Sequence, residues 1–162
     1  SLESNLLKIV EIFAEEAESA EVFEKIGDFF LGKQKKEQAL EYFQRGLQNS
    51  DSNYGLIMKT LPLQQEFQKY EEAKVLIENA IENYPSQPLL YLENGRILNQ
   101  LTKNKEAIDM LTFGLDFIIE NPEMEVRFYE EIASAYSGLK NETKAAEFRK
   151  KAAQLKPSGP NE

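Results

Sequence analysis

Apolar and small residues recur along this chain in a fixed register. Ala39, Ala73 and Ala107 stand 34 residues apart, and Ala145 follows 38 later. Seven residues after each comes another small residue: Gly46, Ala80, Gly114 and Ala152. Upstream of the alanines the columns are Phe23, Ile57, Tyr91 and Tyr129, then Ile26, Thr60, Asn94 and Ile132. Gly27, Leu61, Gly95 and Ala133 come next, followed by Phe30, Gln64, Leu98 and Tyr136. Steps of three and four put these residues on one helical face. Four residues after each alanine stand Phe43, Ile77, Leu111 and Arg149. Five after each second small residue come Asp51, Pro85, Ile119 and Pro157, where a helix is expected to stop. The pattern predicts helical hairpins repeating about every 34 residues, with small residues letting neighbouring backbones approach.

Aromatic, Leu-Gly, aromatic, Ala, aromatic, Ala and Pro at these offsets resemble the tetratricopeptide repeat. Tyr129, Ile132, Ala133, Tyr136, Ala145, Ala152 and Pro157 carry the resemblance in the fourth unit. Phe23, Ile26, Gly27, Phe30, Ala39, Phe43 and Gly46 carry it in the first. It implies an all-α fold, a right-handed solenoid of antiparallel helix hairpins with about nine helices. Repeats are expected at 20–53, 54–87, 88–125 and 126–157, in one domain spanning 1–157, with a disordered polar tail at 158–162.

Several positions break the register. Repeat two has Thr60 and Gln64 in core columns and Pro62 inside its first helix. Proline removes a backbone donor, so it predicts either a local distortion or a re-aimed helix that widens a groove. Repeat three carries four extra residues. Asp116 to Glu120 are expected to lengthen its second helix by about one turn, before an Asn121 cap and Pro122 at the next helix start. Phe113 and Phe117 put aromatics in a column otherwise held by Arg45, Asn79 and Lys151. Either a longer helix packs there, or the two rings form an exposed assembly patch. Residues 2–17 read as one amphipathic helix (Leu2, Leu6, Ile9, Val10, Phe13, Ala17), with Leu6, Ile9 and Phe13 where a second helix keeps its apolar residues, either half of an earlier repeat or an N-terminal cap (1–19). Arg149, replacing an apolar residue, reads as the solvated end of the array.

Composition narrows the chemistry. With 41% hydrophobic and 29% charged residues the chain reads as a folded soluble domain. No cysteine or histidine is present, which removes thiol nucleophiles, zinc-finger ligands and the usual general base. The carboxylate pairs Glu15/Glu16, Glu71/Glu72 and Glu130/Glu131 are adjacent in sequence and splay on a helix. No enzyme activity, metal or cofactor is expected. A net charge of −9 argues against nucleic acid, although the last helix is basic. No apolar run is long enough for membrane insertion. A soluble protein is expected, with the compartment left open between cytoplasm and, if a signal was removed upstream, periplasm.

The resemblance also implies a concave groove lined by first helices that holds a protein or peptide segment, within a larger protein or complex. Its positions fall on Glu21, Glu24 and Asp28 in repeat one and on Met58 in repeat two. They fall on Leu89, Leu92, Arg96, Asn99 and Gln100 in repeat three, and on Arg127 and Glu130 in repeat four. Met58, Leu89 and Leu92 are the expected apolar anchors. Family members that clamp a carboxylate do so with Lys and Asn. Glu24 and Asp28 would repel one, so a partner with a basic end is expected. The alternative is a self-association domain, a homodimer formed through Phe113 and Phe117.

Overall fold

The computed structural model describes residues 1–17 and 19–157; the tail expected at 158–162 lies outside them. Among the described residues there are nine α-helices and no strand: α1 (Leu2–Ala17), α2 (Ala20–Gly32), α3 (Lys36–Asn49), α4 (Tyr54–Glu66), α5 (Tyr70–Asn83), α6 (Pro88–Gln100), α7 (Asn104–Leu115), α8 (Pro122–Gly138) and α9 (Glu142–Leu155). The fold is an all-α helical repeat. The chain falls into two compact units, Ser1–Gln68 and Lys69–Glu162, with the boundary inside the second repeat.

In unit 1, α2 and α3 form a hairpin and α4 packs on α3. Two columns of the sequence meet here. A side chain on Gly27 would fall in the space taken by the Phe43 ring, so α2 and α3 can close only over a glycine. A Cβ on Gly46 would lie 2.9 Å from Leu56 and 3.3 Å from Phe23, which places α3 between α2 and α4. Phe23, Ile26, Phe30, Ala39, Leu40, Tyr42, Phe43, Leu56 and Leu63 form the core around these contacts.

Unit 2 repeats the scheme. Gly95 of α6 is overlaid by Leu111 of α7, and Gly114 of α7 is wedged between Tyr91 of α6 and Phe128 of α8. Tyr91, Leu92, Leu111, Phe128 and Ile132 form a buried cluster. In the α8–α9 hairpin Arg149 stands in the Phe43 and Leu111 column. It donates to Ser137 Oγ (2.7 Å) and Glu142 Oε2 (3.4 Å) at the surface.

The turns after α2, α4, α6 and α8 share one geometry. Gln34, Gln68, Thr102 and Lys140 all have φ between 57° and 60°, without a glycine among them. In three of the turns the next backbone N–H returns to the first helix: Lys35 to Phe30, Lys103 to Leu98 and Asn141 to Tyr136, each at 2.9 Å. These bonds satisfy carbonyls that a helix end leaves open.

One expectation is corrected. The four extra residues of repeat three do not extend α7, which ends at Leu115 and tightens into bonds from Asp116, Phe117 and Ile118 to carbonyls three residues back. They lengthen the front of α8 instead, a helix of 17 residues where α2, α4 and α6 have 13. Asn121 Oδ1 accepts from Met124 N at 3.0 Å and Pro122 opens the helix, as the sequence indicated. In α4, Pro62 is exposed and the helix runs through it from Tyr54 to Glu66. Neighbouring Thr60 is buried and donates its hydroxyl to Leu56 O at 2.7 Å.

Candidate partner-binding surfaces

In unit 1 the outward residues of α2 are acidic, but none of the three expected site acids stands alone. Lys25 takes Glu21 at 2.8 Å. Lys59 of α4 reaches across to α2 and bonds Glu24 Oε1 and Asp28 Oδ2, each at 2.7 Å. Burial works to lower the Lys59 pKa, but hydrogen bonds and charge from Asp28 and Glu24 outweigh it and hold the ammonium above its ordinary value. Lys59, Glu24 and Asp28 together carry one negative charge, so this end of the expected groove is far less acidic than the α2 sequence suggests. Met58, beside Lys59, is half-buried. Sequence reading missed Lys59, although it lies one repeat after Glu24 and Asp28.

In unit 2, α6 and α8 pack side by side, and polar residues bridge them. Arg96 Nε donates to Glu131 Oε1 at 2.9 Å, and its Nη1 to Glu93 Oε1 at 3.3 Å. Arg127 approaches the same Glu93 at 3.8 Å. Asn99 Nδ2 donates to Glu131 O at 3.1 Å and to its Oε2 at 3.3 Å. Desolvation presses the Arg96 pKa down, and the bond to Glu131 with the charges of Glu93 and Glu131 raises it above the usual guanidinium value. Glu130 is exposed and held by Lys156 at 2.8 Å, while Leu89 is half-buried and Gln100 is open to solvent. Arg96, Asn99, Gln100, Arg127 and Glu130 are thus at the surface of this unit, and Glu93 and Glu131 are the residues that organise it.

Leu92 is a correction. It is 0% exposed, in the cluster with Phe128 and Ile132, because α8 packs directly over that side of α6. It cannot be an apolar anchor for a partner. Of the three expected anchors, Leu89 and Met58 keep part of their surface.

The repeat-three aromatics form a trio. Phe117 stacks on Tyr91 with centroids 5.2 Å apart, and Phe113 meets both rings edge-on at 5.4 and 5.3 Å. Tyr91 donates its hydroxyl to Pro85 O at 2.6 Å. Phe117 is therefore half-covered, whereas Phe113 stays 55% exposed. Among the described residues no group of three or more acidic side chains is placed to hold a metal ion, and no helix is long and apolar enough to cross a membrane.

Comparison with known proteins agrees with this architecture. Residues 126–158, the span of α9 and most of α8, match the tetratricopeptide repeat model. No curated protein matches the chain in sequence. Solved structures of MamA are similar in fold. One from Desulfovibrio magneticus RS-1 (residues 41 to the end) has a TM-score of 0.76 at 16% identity, over 94% of this chain and 84% of that one. A MamA structure from MSR-1 has a TM-score of 0.75 at 21% identity, over 94% and 86%. A further MamA crystal structure has a TM-score of 0.76 at 14% identity, over 92% and 80%. The last repeat of the chain, residues 126–158, is thus similar to the tetratricopeptide repeat, and the fold of the chain as a whole is similar to that of MamA.

Proposed function

We propose that this chain is a protein-binding scaffold and that the α6–α8 face of unit 2 receives a segment of the partner. The observation that supports this reading is the bridged network of Arg96, Asn99, Glu93, Glu131 and Arg127. Glu131 fixes Arg96 and Asn99 in place, and Arg96 keeps Nη2 to donate to a partner carbonyl. Exposed Gln100 adds an amide with two donors and an acceptor. Side chains held before binding lose less entropy on binding. The charges here are already engaged with one another, so hydrogen bonding and the half-covered Leu89 supply the recognition, and no reaction is assigned.

Peptides selected on the folded chain from a random display library test the proposal. Amide shifts on titration are expected along α6 and α8, and Arg96→Ala with Gln100→Ala is expected to weaken binding by about tenfold or more, about 1.4 kcal/mol. Shifts confined to other helices would reject the surface.

The second reading, self-association, is favoured by one observation, the exposed Phe113. Phe113→Glu tests it better than a change at Phe117, which stacks on Tyr91. A dimer in sedimentation that this variant dissolves supports assembly, and a monomer in both proteins rules it out.

A further inference from the structure

Helix α1 is joined to unit 1 in a different way from the helices beside it. Helices α2 and α3 close over Gly27, with Phe43 fully buried between them. Of the described side chains of α1, only Leu7 and Glu11 are partly covered, and Ile9, Val10, Ile12 and Phe13 are all exposed. Leu7 packs on the unit 1 core. Glu11 Oε1 accepts from Tyr42 Oη at 2.5 Å and from Arg45 Nη1 at 3.3 Å. At the described positions the joint is therefore one leucine and one shared carboxylate oxygen.

The α3 side of this joint is fixed by its own packing. Tyr42 stacks on Phe30, with ring centroids 5.3 Å apart and planes 8° from parallel. The Arg45 guanidinium lies over the rings of Phe23 (4.7 Å) and Tyr42 (5.2 Å). Burial, with the bond and charge of Glu11, pushes the Tyr42 phenol pKa above its ordinary value, against the pull of Arg45. The hydroxyl thus stays a donor through the neutral range, and two donors held by aromatic rings converge on one carboxylate.

Segments that bury few apolar side chains open by themselves, at lower free energy than the core they rest on. Once lifted, a helix of 16 residues is marginal in water, so lifting and melting go together. We propose that α1 is a strap that lifts from unit 1 as one piece while α2 and α3 stay folded, and that Glu11 is its latch. Lifting uncovers the Tyr42 hydroxyl and the Arg45 guanidinium, still seated on Phe30 and Phe23. The latch is polar, so α1 can release without disturbing the apolar core beneath it.

The test is native-state hydrogen exchange of the whole chain, read amide by amide. The α1 amides are expected to exchange together, at least about tenfold faster than the slowest amides of α2 and α3. Tyr42→Phe, which removes the hydroxyl and keeps the ring, is expected to speed α1 exchange at least about threefold and to leave the α2 and α3 amides unchanged. Glu11→Ala is expected to do the same, and since alanine is the better helix former, faster exchange there cannot come from lost helix propensity. The double variant is expected to match Glu11→Ala within about twofold, because Tyr42 has nothing to hold once Glu11 is gone. Protection of α1 equal to that of α3 overturns the proposal. So does α1 exchange that neither variant alters, or a rise in α2 and α3 exchange as large as that in α1.

Discussion

The first-helix surfaces of the two units solve the same electrostatic problem differently. Between α2 and α4 one lysine, Lys59, serves two acids. Between α6 and α8 two arginines interleave with two glutamates and an amide. In both cases the bonds between helices join residues about one repeat apart, because successive first helices lie side by side, and Arg96–Glu93 alone stays within α6. The outcome differs in what remains for a partner. Lys59 gives two of its three N–H donors to its carboxylates, while Arg96 keeps its Nη2 group and Gln100 a whole amide. This contrast, and not the acidity of the α2 sequence, directs the functional reading to unit 2.

The strongest way to break the comparison is Leu92→Glu. An unpaired carboxylate buried between α6 and α8 is expected to cost at least about 3 kcal/mol, enough to lose cooperative unfolding of unit 2. Glu24→Leu, on the first-helix surface of unit 1, is expected to stay within about 1 kcal/mol. Denaturant unfolding of both variants reads this directly, and a stable Leu92→Glu protein would mean that α8 does not cover α6.

The next test exchanges a core residue between units. Asn94 is 0% exposed with both amide atoms unpartnered, in the column where α2 has Ile26 and α8 has Ile132. Asn94→Ile is expected to stabilise by about 1–3 kcal/mol, the cost of an unsatisfied buried amide, visible as a higher Tm. An unchanged or lowered Tm would contradict this expectation.

Lys59→Met sharpens the electrostatic side. The pair is partly solvated, so the loss is expected to be at most about 1 kcal/mol and to shrink as salt is added. The Lys59 pKa is raised in the folded state. Its contribution is therefore complete below the unfolded lysine pKa of about 10.4 and disappears only as pH rises through the higher folded value. Any loss of this contribution between pH 6 and 9 would contradict the assignment.

The smallest effect compares the hairpin turns. Thr102 and Gln34 share a left-handed backbone at φ 58° and 59°, a region costing a non-glycine residue about 1–2 kcal/mol. Glycine offsets part of that gain by its freedom in the unfolded chain. Thr102→Gly is expected to stabilise by up to about 1 kcal/mol and Gln34→Gly by less, since branching at Cβ suits this region least.

Most of the fold was legible because its columns are steric. Gly27 faces Phe43 and Gly95 faces Leu111, and no other spacing brings those pairs together. The start of α8 was legible in Asn121 and Pro122, but the destination of the four extra residues was not. Alignment on alanines counts an insertion without saying which helix takes it. The candidate site was less legible. Leu92 reads as an outward position until α8 is laid over α6, and Lys59 reads as a solvated lysine until α4 is laid beside α2. Both depend on contacts between one first helix and the next, which periodicity within a helix does not encode.

The central claim is that the α6–α8 face is the partner surface and the α2–α4 face is not. The most direct measurement is the affinity of one selected peptide for Arg96→Ala and for Lys59→Ala, each verified as folded. The account predicts a loss of about tenfold for Arg96→Ala, about 1.4 kcal/mol, and a change of less than about twofold for Lys59→Ala. The reverse order, or equal losses in the two variants, would contradict it.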